Sequence, residues 1–228
     1  MSAPKKASAA KSKAKPSPKA SEPPRYHHGA LKQALLAAAE RVLRRDGLAG
    51  LTLRAAAREA GVSHAAPKNH FGDLRGLLSD LAALGFTRLQ AAQSTEAERQ
   101  GSAMPRLNAI GIGYVKFAHA NPALFTLMFR SEQLDFSRPS LAAASTATFR
   151  NFSGTGGAGM AQPAGAPAQP LTLEQVARLS ASWSLVHGFA FLMIDGRLAP
   201  LLRGAGGAVA ELDVLAAIMG KGPGSPTG

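Results

Sequence analysis

Residues 52–71, TLRAAAREAGVSHAAPKNHF, decide the fold, because they carry the spacing of two short helices that meet at a tight turn. Thr52 can cap the first helix by accepting a backbone N–H from its opening turn. Ala55, Ala56, Ala57 and Ala60 leave that helix a face small enough for close approach. Gly61 ends it, since glycine most easily takes the left-handed conformation of a sharp turn. Val62 fills the space between the helices, and Ser63 is placed to cap a second helix beginning at His64. Two helices crossing after a three-residue turn form the helix-turn-helix arrangement that enters the major groove of DNA.

The flanking segments complete a small domain. Leu31, Leu35, Ala38, Val42 and Leu43 recur at helical spacing, so Leu31 to Arg45 is expected to be an amphipathic helix. Asp46 would be its final residue, Gly47 would take the left-handed stop, and Leu48 would fold back on Leu43. Leu51 and Leu53 fill the space beneath the helix-turn-helix. Asp73 then caps a fourth helix whose leucines keep period to about Gln93. That helix starts beside the recognition helix and ends against the rest of the chain, so it can act as a lever.

The run from Tyr26 to Leu78, through YHHGAL, LTLRAAAREAGVS and HFGD, resembles the DNA-binding domain of TetR-family bacterial transcription regulators. The resemblance implies an all-α protein: a basic tail over 1–24, the DNA-binding domain over 25–88, and a helical effector-binding and dimerisation domain over 89–228. It implies DNA contacts from Arg25, Tyr26, His28, Thr52, Ser63, His64, Ala65, Lys68, Asn69, His70 and Arg75. The implied partners are a double-stranded operator, a second copy of the chain and a small-molecule effector, with no cofactor and no membrane. Pro67 and Lys68 depart from the family's usual Leu-Tyr pair, and Leu74 with Arg75 stands where a lysine usually opens the next helix. As fourth residue of a helix capped by Ser63, Pro67 would forfeit a hydrogen bond and crowd the Ser63 carbonyl. It would shift the start or tighten the first turn.

Charge agrees with this layout. The 228 residues carry 26 Lys+Arg against 14 Asp+Glu, a net +12. Residues 1–90 hold 16 against 6, a net +10, and the rest of the chain only +2. That asymmetry fits a polyanion partner. With 46 % hydrophobic residues the chain can bury a sizeable core, and with no cysteine it has neither disulfides nor thiolate metal sites, as in a cytoplasmic protein. Residues 1–24 are Ala, Lys, Ser and Pro with no apolar run, expected to be disordered rather than a secretory signal. They are either a solvated tail or a non-specific DNA arm. The adjacent His27 and His28 would diverge on a helix and have no third ligand nearby, which argues against a metal.

Further along, Pro105 can open a helix with Leu107, Ile110, Tyr114 and Phe117 on one side, ended by Asn121-Pro122 after a polar break at Ser94 to Ser102. ALFTLMF (123–129) is too short to span a membrane and too apolar for a surface. Residues 151–170 read as a flexible loop. Gly154, Gly156, Gly159 and Glu174 mimic a dinucleotide-binding spacing there, but no strand precedes them and Pro163 and Pro167 break the helix that would hold phosphate. Thr172 and Gln175 form a capping box for the most hydrophobic helix, Leu173 to Ile194. One stripe of it, Val176, Ser180, Trp183, His187, Phe191 and Ile194, can line the domain core, while another face meets a second subunit. Trp183, His187 and Gly188 resemble the W-HG signature of one branch of TetR-family C-terminal domains. Tyr114, Phe117, Phe125, Met128, Trp183, His187 and Phe191 are candidate effector-pocket residues, the alternative being that they are ordinary core groups. A short helix over Val209 to Met219 and a loose end close the chain. No nucleophile–base pair or metal cluster is legible, which argues against an enzyme, and an architectural DNA-binding protein would leave the aromatic second half unexplained.

Overall fold

The computed structural model describes Met1 and residues 28–101, 105–156, 170–205 and 209–221. The tail from residue 2 to 24, Arg25 and Tyr26 lie outside the described residues. All regular structure among the described residues is helical. The head comprises α1 (His28–Gly50), α2 (Leu53–Ala60) and α3 (Ala66–Phe71). The long α4 (Leu74–Gln100) leads to α5 (Arg106–Ala120), α6 (Pro122–Met128), a short 3-10 turn (Ser131–Gln133), α7 (Pro139–Gly156), α8 (Leu173–Ile194), α9 (Ala199–Gly204) and α10 (Glu211–Lys221).

Local signals set most of these ends. Thr52 Oγ1 accepts from the Ala55 N–H at 3.0 Å, and Gly61 closes α2 in the left-handed region at φ 68°, ψ 31°, so the turn forms as expected. Gly47 breaks α1 with φ 69°, but its ψ of −176° is extended rather than left-handed helical, and a further turn runs to Gly50. The second helix of the pair does not start at His64. Ser63 makes no side-chain cap; instead the Ala66 N–H donates to the Ser63 carbonyl at 3.0 Å in a tight turn, and α3 begins at Ala66. Pro67 is the cause. Moved into the first turn, its missing N–H costs no hydrogen bond, and its ring is buried in the head.

Asp73 caps α4 by accepting from the Gly76 N–H at 2.7 Å. The helix then continues past Gln93 to Gln100, through residues whose polarity suggested a break. Those residues are paired: Glu96 takes hydrogen bonds from Arg99, from Gln100 at 2.8 Å and from Lys116 of α5 at 2.9 Å. Burial raises the cost of a charge on Glu96, but the Arg99 bond first, with Gln100 and Lys116, outweighs it and holds the carboxyl down at about 2. Alongside, α5 packs so close that a Cβ on Gly113 would stand 2.8 Å from the Ala92 carbonyl oxygen.

One core runs from Leu35 of α1 through Leu77, Leu81, Leu89, Phe125 and Leu141 to Leu215 of α10. α4 passes along its length, packed on α5, α6 and α7 and on the head. α7 extends to Gly156, so the loop expected from residue 151 begins after that helix; residues 157–169 lie outside the described residues. The capping box of Thr172 and Gln175 opens α8. By length and composition α8 is apolar enough to cross a membrane. Its buried row, Leu179, Val186, Phe189, Ala190 and Met193, packs on the protein, chiefly on α5.

Candidate functional site

Alanines bring α2 against α1: Ala55, Ala56 and Ala57 are buried, and Leu35, Val42, Leu51 and Phe71 close the space between the three head helices. The opposite side is polar. His64, Ala65, Lys68 and Asn69 are exposed on the turn and on α3, together with Ser63 and Thr52, while His70 is half-buried beside Phe71. His28 is the first residue of α1. Arg54 and Arg58 of α2 are also exposed and have no ion-pair partner among the described residues; the sequence reading passed over them, although the first helix of such a pair crosses the DNA backbone. Arg75 is drawn away from this side. Its guanidinium donates to the Leu134 carbonyl at 2.7 Å.

That bond belongs to a polar junction around the start of α4. Ser79 donates to the Arg75 carbonyl at 2.7 Å and accepts from the Asp135 N–H at 2.9 Å. The Asp80 side chain, 3 % exposed, holds Lys32 of α1 at 2.8 Å, Ser140 of α7 at 2.6 Å and Arg138 at 3.5 Å. Burial pushes the Asp80 carboxyl up, but the hydrogen bonds from Lys32 and Ser140 and the Lys32 charge outweigh it and hold it below the ordinary carboxylate range. A single carboxylate therefore ties the head to α4 and to the beginning of α7.

Further along α4 lies a cavity of about 280 Å³. Its walls are Phe86, Leu89 and Gln93 of α4, Tyr114 of α5, Met128 of α6, Phe129, Ser131 and Phe136 of the following segment, Ser145, Thr148, Phe149 and Phe152 of α7, and Trp183 of α8. Three of the seven candidate pocket residues, Tyr114, Met128 and Trp183, border it. Phe125, His187 and Phe191 stand behind, with the Phe125 ring centroid 5.3 Å from Tyr114 and 5.5 Å from Phe191. Phe117 is buried in the core away from the cavity. On α8, Val176, Ser180 and Trp183 of the expected inward stripe are exposed, Trp183 at 45 %, because the helix is turned to bury Leu179, Val186 and Phe189.

Trp183 and His187 are neighbours, ring centroids 5.8 Å apart. The imidazole finds its partner in a side chain rather than a backbone carbonyl: Tyr114 Oη lies 2.7 Å from His187 Nδ1. Burial pushes the Tyr114 phenol up, against the opposing effect of a Trp183 hydrogen bond, and burial pushes His187 down. Tyr114 Oη and His187 Nδ1 thus share one hydrogen bond, whose direction follows the imidazole tautomer. Among the described residues no three His, Asp or Glu side chains gather where they could hold a metal.

A helix-turn-helix head is thus joined by one long helix to an aromatic, cavity-bearing helical bundle. Residues 107–215 match the family described as Tetracyclin repressor-like, C-terminal domain. The chain is similar to a protein of unknown function from Rhodococcus sp. RHA1, with 31 % identity over 87 % of this chain and 96 % of that one and a TM-score of 0.65. It shares its fold with a protein assigned to the TetR-family transcription regulators of Shewanella sp. PV-4, at 20 % identity over 83 % and 95 % of the two chains and a TM-score of 0.57. No curated protein matches it. The chain belongs to the TetR family of transcriptional regulators.

Proposed function

We propose that this regulator is a ligand-responsive, cytoplasmic, dimeric repressor, not an enzyme, that binds a pseudo-palindromic operator and leaves it when a small molecule fills the cavity. In this reading residues 25–88 read DNA and residues 89–228 dimerise and bind the effector. Asn69 suits a bidentate contact with adenine, while Lys68, Arg54 and Arg58 suit phosphates. The tail over 1–24 serves as a non-specific arm. Apolar side chains left exposed along one side of α8, Leu173, Val176 and Trp183, support a second copy of the chain on that side.

The observation that carries the reading is the double use of residues 129–138. Phe129, Ser131 and Phe136 wall the cavity, while Leu134, Asp135 and Arg138 of the same segment bond to Arg75, Ser79 and Asp80 at the head end of α4. A ligand that displaces Phe136 therefore loosens the bonds that set the angle of the head. Duplex selection from a random pool, followed by footprinting on DNA flanking the protein's own coding region, tests the reading. Two protected half-sites about one helical turn apart, roughly 34–36 Å, are expected. Failure to enrich any sequence would overturn it.

A further inference from the structure

We infer that the cavity selects a small, flat, uncharged aromatic molecule that carries one hydrogen-bonding group and presents it to Gln93, and that it rejects the charged counterparts of the same molecule. The inference rests on the effector reading above and adds the chemistry of the ligand.

Size sets the first limit. At about 280 Å³ the space is at the small end for ligand sites, enough for about two fused rings and too small for a long acyl chain or a multi-ring drug. Shape follows from the walls, where seven aromatic side chains offer ring faces and edges to a planar guest. Charge is excluded by what is missing from the lining, which among the described residues holds no Lys, Arg, His, Asp or Glu. The charged residues beside Ser131 do not compensate. Arg130 and Glu132 face each other at 3.8 Å, and both side chains are more than half exposed. A buried ion would have to shed its water with no counter-charge to meet it.

Of the polar side chains of the wall Ser131 is exposed to solvent, and the others single out Gln93. Ser145 and Thr148 spend their hydroxyl hydrogens on backbone carbonyls of their own helix or, for Thr148, of Phe86 as well. Tyr114 is committed to His187. Gln93 is 1 % exposed and only one end of its amide is engaged, the oxygen accepting from Asn151 Nδ2 at 3.3 Å. The amide nitrogen has no partner among the described residues. A ligand hydroxyl or carbonyl within the cavity gives it one, and a hydroxyl can serve either end of the amide.

Three probes of matched ring system separate the possibilities: 1-naphthol, 1-naphthoate and 1-naphthylmethylammonium. Each is titrated into the full-length protein at neutral pH, read by the emission of Trp183, the only tryptophan and a wall residue, and by calorimetry. 1-Naphthol is expected to saturate at one per chain, with both ions weaker by about thirtyfold or more. Gln93→Leu should weaken 1-naphthol about fivefold without changing its preference over the ions. Phe149→Ala, at an exposed position where folding is not at stake, should weaken it as well. Naphthoate or the ammonium binding as tightly as naphthol would overturn the inference while leaving an effector site standing. No saturable binding by any probe, in protein that still binds its selected duplex, would overturn the inference and show the cavity to be a packing void. Failure of the ligand-free protein to bind any selected duplex would instead sink the regulator reading.

Discussion

The head and the bundle solve the packing problem in opposite ways. In the head, small side chains at Ala38, Ala39, Ala56 and Ala57 are fully buried and neither cavity described above or below touches α1, α2 or α3. In the bundle, large rings meet at angles and leave the 280 Å³ space, with a second of about 110 Å³ between α5, α8 and α10. Close-packed alanines fix the relative placement of two helices, which a DNA-reading surface needs. Rings that do not fill their space leave room for a guest. Under the proposed function the contrast separates a part that holds one shape from a part that responds, with Asp80 between them.

Adding volume should therefore have opposite outcomes in the two regions. Ala56→Leu is expected to cost about 2–3 kcal/mol in urea unfolding, since a packed helix interface has no space for the added carbons. Ser145→Leu, into the cavity, should cost less than about 1 kcal/mol and abolish 1-naphthol binding. Equal costs would erase the distinction. Cutting the junction tests how the regions are joined. Asp80→Ala leaves Lys32 and Arg138 without their shared carboxylate, and because both cations keep some solvent the expected loss is about 2–3 kcal/mol, below that of a fully buried pair. A loss under about 0.5 kcal/mol would remove Asp80 as the link.

On the DNA face, Asn69→Ala should lower discrimination between the selected duplex and random DNA by about 1–3 kcal/mol, and Lys68→Ala should weaken both alike and flatten the salt slope by about one unit. If both changes leave duplex affinity untouched, α3 is not the reading helix. Acid offers a finer test of the bundle. Glu96 is held at about 2 when folded and returns to 4.5 when unfolded, so it contributes stability above pH 4.5 that is lost as pH falls toward 2. Asp80, also depressed, acts in the same direction. Glu96→Gln should flatten the decline between pH 4.5 and 2 by about 1 kcal/mol, given the exposure of Arg99 and Lys116. An unchanged slope would show that the Glu96 cluster does not hold the far end of α4.

What was legible in the sequence is what depends on near neighbours. Thr52, Gly61, Asp73 and the pair Thr172–Gln175 each act within three or four residues, and each forms the cap or stop read from it. Pro67 showed that α3 would be disturbed, and the structure resolves the alternatives in favour of a later start. α7 left little signal because Ser, Thr and Ala fill much of it, while Leu141, Thr148 and Phe152 are among its few buried side chains. The extension of α4 was hidden for a related reason, since Glu96 looks like a solvated residue until Lys116 is folded against it. The cavity is least legible of all. Its walls come from α4, α5, α6, α7, α8 and the segment after α6, and His187 takes its partner from Tyr114, 73 residues earlier. Residue types nominated α5, α6 and α8 there but neither α4 nor α7, and the rotation of α8 decided which of its side chains reach the space.

The central claim is that the state of the cavity sets the affinity of the head, and one linked titration addresses it. Duplex affinity is measured by fluorescence anisotropy with and without the tightest uncharged aromatic binder at saturation, and the affinity of that binder is measured with and without duplex. The account predicts that each weakens the other by the same factor, within about 5–150-fold. Duplex affinity that stays constant while the cavity is demonstrably full would contradict it.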